Sequence, residues 1–515
     1  MLLSLVGKGI RLLCDLGFWT GCGRPFLSVP LGLGQSGLIF FILLGLSQPV
    51  SASEIPSQLK LLPLYFDAQS PFSASELRTQ FKLPPQSGGP GSPKSSLPKR
   101  LSYQYGYGSD TELNYLKDVD LNQDVRDNSF ILVPEFSGYV IYRPTDWLET
   151  GIVLVAGGEV VLAEEKRIKL PDGEVIYSQK RKPELHADEA YVMVRKVIDP
   201  FEVTVGRKGM SDDRRWLYDT TLDLVTISLQ GKFQVDLSAG REFLVDLETT
   251  KFKPDRIDTY ILYTQYRGIE DMKLAGYSIL RYDRNKIEGR PQLTGFRTLG
   301  WPTPYFRYWT DLAYLGGEDE LSRDFEAYAL DIGSVYFAQG LLGDPFVILD
   351  FAFATGDDPK KKKNNGFRQT GLQSNESRFG GIPEVRMYGE ALDPELTNIR
   401  IITAGLAFRL GPDLSLDLIF HRYRLNEIAE EVAGTQLTGQ INIEEGKNSR
   451  DLGSAVDMGI GGRNLFGLRR LGIDIRAGFF FPGPAYRTLV LTPRGKKEQY
   501  FPSDKGFSVV TKFWW

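Results

Sequence analysis

Basic side chains recur in this 515-residue chain at spacings that suit one kind of chemistry. Arg307 alternates with Phe306 and Tyr308, Arg409 with Leu406, Phe408 and Leu410, and Arg476 with Ile473 and Ile475. The stretch TGDDPKKKKNNGFRQTGLQSNESRFGG (355–381) adds a run of lysines at 360–363, then Arg368 and Arg378. A planar guanidinium fork matches a carboxylate with two parallel hydrogen bonds, so a face lined by arginines recognises anions. Bond-making chemistry is poorly provided for. The two histidines, His186 and His421, exclude a His-rich zinc centre. Both cysteines, Cys14 and Cys22, lie at the start, which leaves no thiolate metal site in the rest of the chain. No G-x-S-x-G is present, so a barrel lipase or protease would lack its nucleophile and base. The glycines of DMGIGGRN (457–464) are not followed by a helix and read as a strand end, not a phosphate loop. The lysine run reads as a solvated loop tip, and His421 as a packing residue.

The elements that position these residues are strands. No helical period is sustained after residue 101, and no stretch beyond residue 52 is long and apolar enough for a membrane helix. Aromatic residues make up 12% of the chain and glycine numbers 54, which favours an all-β reading. The two-residue period is plain in FQVDLSA (233–239), YFRYWTDLAY (305–314), FVILDFAFA (346–354), LSLDLIFHRY (414–423) and LGIDIRAGFFF (471–481). In each, one face is apolar or aromatic and the other carries Asp, Arg, His or small residues. A soluble sandwich, such as an adhesin, would bury the apolar face. A transmembrane barrel would turn it toward lipid and line a lumen with the other.

Three features favour the barrel. Residues 1–52 have the form of an export signal: a short apolar core (Leu38–Leu46) followed by Val50-Ser51-Ala52. The stretch before that core is long, which places the expected translation start downstream of Met1. Residues 1–52 carry Lys8, Arg11 and Arg24 against Asp15, so the remainder is more acidic than the whole chain's net charge of −4. That balance argues against nucleic acid as a partner. Residues 53–100 are Pro/Ser/Gly-rich and read as an N-terminal tail. The 415 or so residues from 101 to 515, at roughly 23 per strand and connection, give about 18 strands. Finally, GFSVVTKFWW puts Phe507, Val509, Thr511, Phe513 and Trp515 on one face of a last strand. It resembles the carboxy-terminal assembly signal of bacterial outer-membrane barrels. The expected fold is therefore all-β: a single antiparallel transmembrane β-barrel with long loops.

Several segments resemble one family. NNGFRQTGLQSNESRFGG (364–381) and YGEALDPELTNI (388–399) are similar to a signature of the alginate export outer-membrane proteins. IDIRAGFFFPGPAYR (473–487) resembles the family's penultimate strand and its Pro-Gly loop, and VGRKGMSDDRRWLYDTTLDLV (205–225) its glycine-arginine strand end. The resemblance implies a monomeric barrel that lets a linear anionic exopolysaccharide, an alginate-like polyuronate, leave the cell by diffusion. It implies no enzymatic step, no cofactor and no metal. Its partners would be the polysaccharide, outer-membrane lipid, the outer-membrane assembly machinery and a periplasmic scaffold protein.

A pore for a polymer with one carboxylate per sugar needs cations along its wall, each binding weakly enough to release, with acids between them as supports. Arg476, Arg368, Arg378 and Arg207 match family positions, while periodicity alone nominates Arg307 and Arg409. Arg143 is a lesser candidate. Arg207 shares parity with Val203 and Val205, so either a bulge intervenes or it lies beyond the membrane band. The supporting acids are Asp350, Asp213, Asp474 and Glu189, with Asp212, Asp219 and Asp457. Asp188 and Asp474 stand where the family tends to carry arginine, which implies a less positive pore. A porin for small anions or other oligosaccharides, working in uptake, is the alternative.

Overall fold

The computed structural model describes residues 102–515 apart from 120, 122–127, 165–183, 196–199, 243–256, 285–288, 339, 340, 342–344, 359, 445–447, 492–497, 503 and 504. The expected signal peptide and tail lie outside the described residues. The first strands are β1 (Ser102–Lys117), β2 (Ser129–Arg143), β3 (Leu148–Gly157), β4 (Val160–Glu164), β5 (Glu184–Arg195) and β6 (Phe201–Ser211). Then come β7 (Asp219–Leu229), β8 (Phe233–Arg241), β9 (Ile257–Tyr266), β10 (Met272–Asp283), β11 (Arg290–Thr303) and β12 (Phe306–Glu318). They are followed by β13 (Ala327–Phe337), β14 (Phe346–Ala354), β15 (Glu376–Ser377), β16 (Val385–Arg386), β17 (Ile399–Arg409) and β18 (Leu414–Leu425). The last are β19 (Asp451–Gly462), β20 (Gly472–Pro482), β21 (Arg487–Leu491), β22 (Glu498–Pro502) and β23 (Gly506–Trp514).

Each long strand pairs antiparallel with its neighbours, and β23 pairs with both β20 and β1, so the sheet closes on itself. Asp110 stands opposite Trp514 and Lys117 opposite Phe507 in the closing ladder. Closure leaves no exposed sheet edge. β3 and β4 both pair with β2 and form one interrupted strand, which makes the barrel 18-stranded. The hairpins β15–β16 and β21–β22 stand outside it.

The alternation resolves as lipid-out. Leu349 and Phe351 of β14 are exposed while Ile348, Asp350 and Ala352 are buried. On β18, Leu418 and Phe420 are exposed while Asp417, Ile419 and His421 are buried. Only a barrel whose outer face meets hydrocarbon satisfies both sets. Aromatic belts mark the two interfaces. Tyr107 against Trp515 (5.5 Å), with Tyr305 and Tyr336, lies at the end bearing the carboxyl terminus. Tyr314 against Tyr328 (5.2 Å) lies toward the other. The shortest connections, such as 230–232, 304–305 and 410–413, lie at the first end, and the longest, such as 355–398 and 426–450, at the other. By the usual asymmetry of such barrels, the short turns are periplasmic and the long connections extracellular.

Two of the long connections fold inward. Residues 212–218 bury Arg214, Trp216 and Leu217, and residues 364–398 bury Phe367, Met387, Tyr388 and Leu392. Small residues on the wall make room for the second segment. A Cβ at Gly461 would come within 2.6 Å of Pro383 and 2.7 Å of Ile382, and one at Gly478 within 2.5 Å of the Ala391 backbone nitrogen. Gly461→Val is therefore expected to push the 382–383 step off the wall at a cost of about 1–3 kcal/mol. The check is the temperature at which the folded form loses its fast gel mobility. An unchanged temperature and unchanged conductance would show that the segment is not seated there.

Candidate functional site

The lumen is the site, because the inward faces of the strands and the 364–398 segment converge there. The segment is held by polar contacts to many strands. Ile382 N donates to Ser415 Oγ (2.6 Å), Arg307 to the Arg378 carbonyl (2.9 Å) and Arg281 to the Thr370 carbonyl (2.6 Å). Tyr388 Oη donates to Asp331 (2.7 Å), and Tyr423 Oη to the Tyr388 carbonyl (2.9 Å). These strands form one side of the barrel, so the segment lines that side and narrows the passage.

A buried ionic cluster locks the 212–218 connection to the wall beside it. Arg214 pairs with Asp311 (2.8 Å) and Asp331 (3.0 Å) and stacks on Trp309. Arg297 pairs with Asp311 and with Asp212 (2.5 Å). Trp309 Nε1 donates to Asp331 (2.8 Å) and Asp350 (3.1 Å). These guanidinium groups are 1–2% exposed, so their role is cohesion.

A second network faces the remaining opening. Arg476 pairs with Glu376 (3.1 Å) and lies 3.6 Å from Glu390. Arg215 reaches Glu384 (3.0 Å), Arg378 reaches the same carboxylate (3.0 Å), and Arg386 reaches Asp393 (3.1 Å). Across the closing ladder, Lys512 pairs with Asp110 (2.9 Å). A small cavity gathers Glu376, Arg378, Glu384, Asp474, Arg476 and Lys512. Burial raises the Glu376 and Glu384 carboxyls, but neighbouring arginines outweigh it and hold both below their usual range.

Below this network, toward the short turns, lie cations with acids nearby, such as Asp413 and Asp474 beside Arg463 and Asp417 beside Arg409, but with no ion pair among the described residues. Arg307 and Arg409 make no ion pair among the described residues, and Arg409 lies 5.1 Å over the Phe346 ring. Arg463, in the turn after β19, leaves its Nε without a hydrogen-bond partner. Burial, and then the positive charges of Arg378 and Arg409, pull its guanidinium below its ordinary value. With Arg378, which is itself paired to Glu384, Arg307, Arg409 and Arg463 form a cationic group at the periplasmic end of the lumen. Arg143 and Arg195 share Glu149 (2.7 and 2.8 Å) at the same end of β2 and β5.

The alginate export family matches residues 97–493. The chain belongs to the alginate export family. A relative from Azotobacter vinelandii described as "Alginate production protein AlgE" is 29% identical over 32% of this chain and 36% of its own length. One of the same description from Pseudomonas syringae is 23% identical over 55% of this chain and 67% of its own. The match thus spans about a third of the first relative and two thirds of the second. Among solved structures, the outer membrane protein OpdK from Pseudomonas aeruginosa has a TM-score of 0.50 at 10% identity, covering 80% of this chain and 98% of that one. That likeness is one of fold. Family and fold together make this a barrel of the bacterial outer membrane.

In this member of the alginate export family, Arg476, Arg378 and Asp474 meet at one cavity, and Arg307 and Arg409 reach the cationic group beneath it. Asp474 accepts from Glu384 N (3.3 Å). Glu189 is buried with Lys208 (2.7 Å), and Asp213 pairs with Lys273 (2.5 Å), both on other parts of the lumen wall. Asp350 belongs to the buried cluster. Arg368 stands apart, 4.9 Å over the Phe325 ring near the extracellular end. Arg207 is also apart. Its ladder to β7 runs through without a register shift and its ladder to β5 reaches it without one, so it keeps the parity of the exposed Val205, and it pairs with Asp223 (3.3 Å) toward the long-connection end. His421 packs at 2.9 Å from Thr403 and 3.0 Å from Asp457, as a packing residue would. Lysines 360–363 are an exposed tip, with Lys363 on Glu326 (2.7 Å).

Sequence reasoning passed over Arg214, Arg215, Arg297, Arg386 and Arg463. Four of these lie in connections, where period two says nothing. Arg297 shares its inward face with the buried Leu293, which hides the polar signal.

Proposed function

We propose that the chain passes a linear anionic polysaccharide, of the alginate-like polyuronate class, outward through the lumen by diffusion. The observation that carries the reading is the cationic group Arg307, Arg378, Arg409 and Arg463 at the periplasmic end. A polymer leaving the cell meets that end first. Guanidinium groups there, with Arg307, Arg409 and Arg463 outside any ion pair among the described residues and Arg378 held by Glu384, raise the local concentration of carboxylates. The ion-paired zone above, where Arg378 and Arg215 share Glu384, offers exchangeable sites: a polymer carboxylate takes one of the two arginines while Glu384 keeps the other. Binding at several such points favours entry and still permits release. The passage needs no nucleophile and no cofactor. The family match and the relatives' description support the substrate class.

The test is conductance of the purified protein in planar bilayers. Anion preference and reversible block by polyguluronate added to the periplasmic side are expected. Cation preference, or block equal for neutral dextran, would overturn the reading. Within the site, two arginines are expected to behave differently. Arg378→Gln, at a side chain 26% exposed, lowers polyuronate affinity on the order of several-fold, as for one partly screened charge. Arg476→Gln leaves Glu390 buried without its cation and mainly destabilises the fold, by about 3–5 kcal/mol. Equal effects on block and on thermal stability from both variants would refute that division.

A further inference from the structure

The outer wall carries a second basic site that the pore does not use. On the lipid-facing side of β14, β17 and β18, Arg400 stands opposite Phe353 and Arg424, and Ile402 stands opposite Phe351 and Arg422. With Arg450 these side chains line a cavity of about 470 Å³. Its floor is Phe351 and Ile402, both exposed and continuous with the apolar belt below. Its upper rim is four guanidinium groups. Arg422 holds Asp451 (2.6 Å), Arg450 holds Glu427 (2.6 Å) and Arg400 holds Asn426 (2.6 Å). Arg424 is exposed and makes no hydrogen bond or ion pair among the described residues. Four cations therefore face two carboxylates.

The height of the rim identifies the partner. Leu330, two residues along β13 from Tyr328 of the extracellular aromatic belt, pairs with Phe353, which pairs with Arg400 and through it with Arg424. Arg400 and Arg424 thus sit within one rung of that belt, at the edge of the headgroups, where a lipid-facing cation costs little, and the apolar floor sits one rung deeper with Arg422 beside it. We infer that this groove binds a phosphorylated lipid of the outer leaflet, of the lipid A class. Its acyl chains would lie over Phe351 and Ile402 and its phosphates on the arginine forks. Arginine suits the task because it makes bidentate bonds to phosphate. A soluble anion would have no use for the apolar floor, and an uncharged lipid none for the rim.

Native mass spectrometry of the delipidated full chain in detergent tests this. One bisphosphorylated lipid A is expected to remain bound per chain, with the dephosphorylated lipid at least roughly tenfold weaker and inorganic pyrophosphate unable to displace it. In the combined variant Arg400→Gln, Arg422→Gln, Arg424→Gln, binding is expected to weaken on the order of 100-fold while the fast gel mobility of the folded barrel persists. Equal retention of phosphorylated and dephosphorylated lipid by the wild-type chain would overturn the inference, as would displacement by pyrophosphate, which marks a free-anion site. Those wild-type measurements decide the matter even if the variant does not fold.

Discussion

Replacing Arg307, Arg409 and Arg463 together by glutamate is expected to turn an anion-preferring conductance into a cation-preferring one. The three side chains sit in the wall or turn at the periplasmic end, and among the described residues none is held by a carboxylate. The change replaces three positive charges by three negative ones. A unit charge about 8 Å away in water is worth about 0.5 kcal/mol before salt screening, so the permeability ratio should move on the order of tenfold at ~0.1 M salt. Polyuronate block should disappear with it. The control is Arg368→Glu, which alters a cation of the inner segment far from this group, over the Phe325 ring. If the control shifts selectivity as much as the triple variant, the periplasmic group is not the selectivity element.

The division of labour among the charges follows from exposure. Arg214 and Arg297 are almost fully buried and each is bracketed by two carboxylates. They cannot exchange partners with a passing polymer. Arg215, Arg378 and Arg386 are 13–26% exposed and share acids in chains, so each has a carboxylate that a ligand can replace. The outer wall repeats the contrast. Arg207 is spent on Asp223, whereas Arg424 has no partner among the described residues.

What was legible in the sequence follows from period two. Phe351, Leu418, Phe420 and Phe513 were read onto one face, and all are exposed on the lipid side. Arg307, Arg409 and Arg476 were read onto the other, and their strands carry them inward. The strand number followed from length, since each crossing and return consumes a nearly constant stretch of chain. The interior of the connections was not legible. SDDRRWLYD contains Asp212, Arg214 and Arg215, yet no periodicity tells that Arg214 is locked among Asp311 and Asp331 while Arg215 faces the opening. Those roles depend on how a loop re-enters a closed sheet, which is a matter of distant contacts. Arg368 and Arg378 show the same limit. Ten residues apart in one signature segment, they end at opposite ends of the lumen because the segment travels along the wall between them.

Removing Arg214 should have the largest effect on the fold. Arg214→Met keeps an unbranched apolar stem but strips Asp311 and Asp331 of a shared cation. Asp311 keeps Arg297, whereas Asp331 keeps neutral donors such as Trp309 and Tyr388 but no ion-paired cation. An orphaned buried carboxylate costs about 3–5 kcal/mol. That energy is concentrated where the 212–218 connection and the 364–398 segment meet, since Trp216 Nε1 donates to Tyr388 Oη (2.8 Å) and Gln369 to the Trp216 carbonyl (3.1 Å). The barrel ladder itself is untouched. The expected result is therefore a barrel that still inserts and closes, loses fast mobility at a lower temperature, and conducts more because its inner segment leaves the wall. Asp331→Asn in the same chain should recover part of the stability, as it removes the unpaired charge. If conductance and stability are unchanged in Arg214→Met, or if Asp331→Asn makes the loss worse, the cluster does not hold the constriction in place.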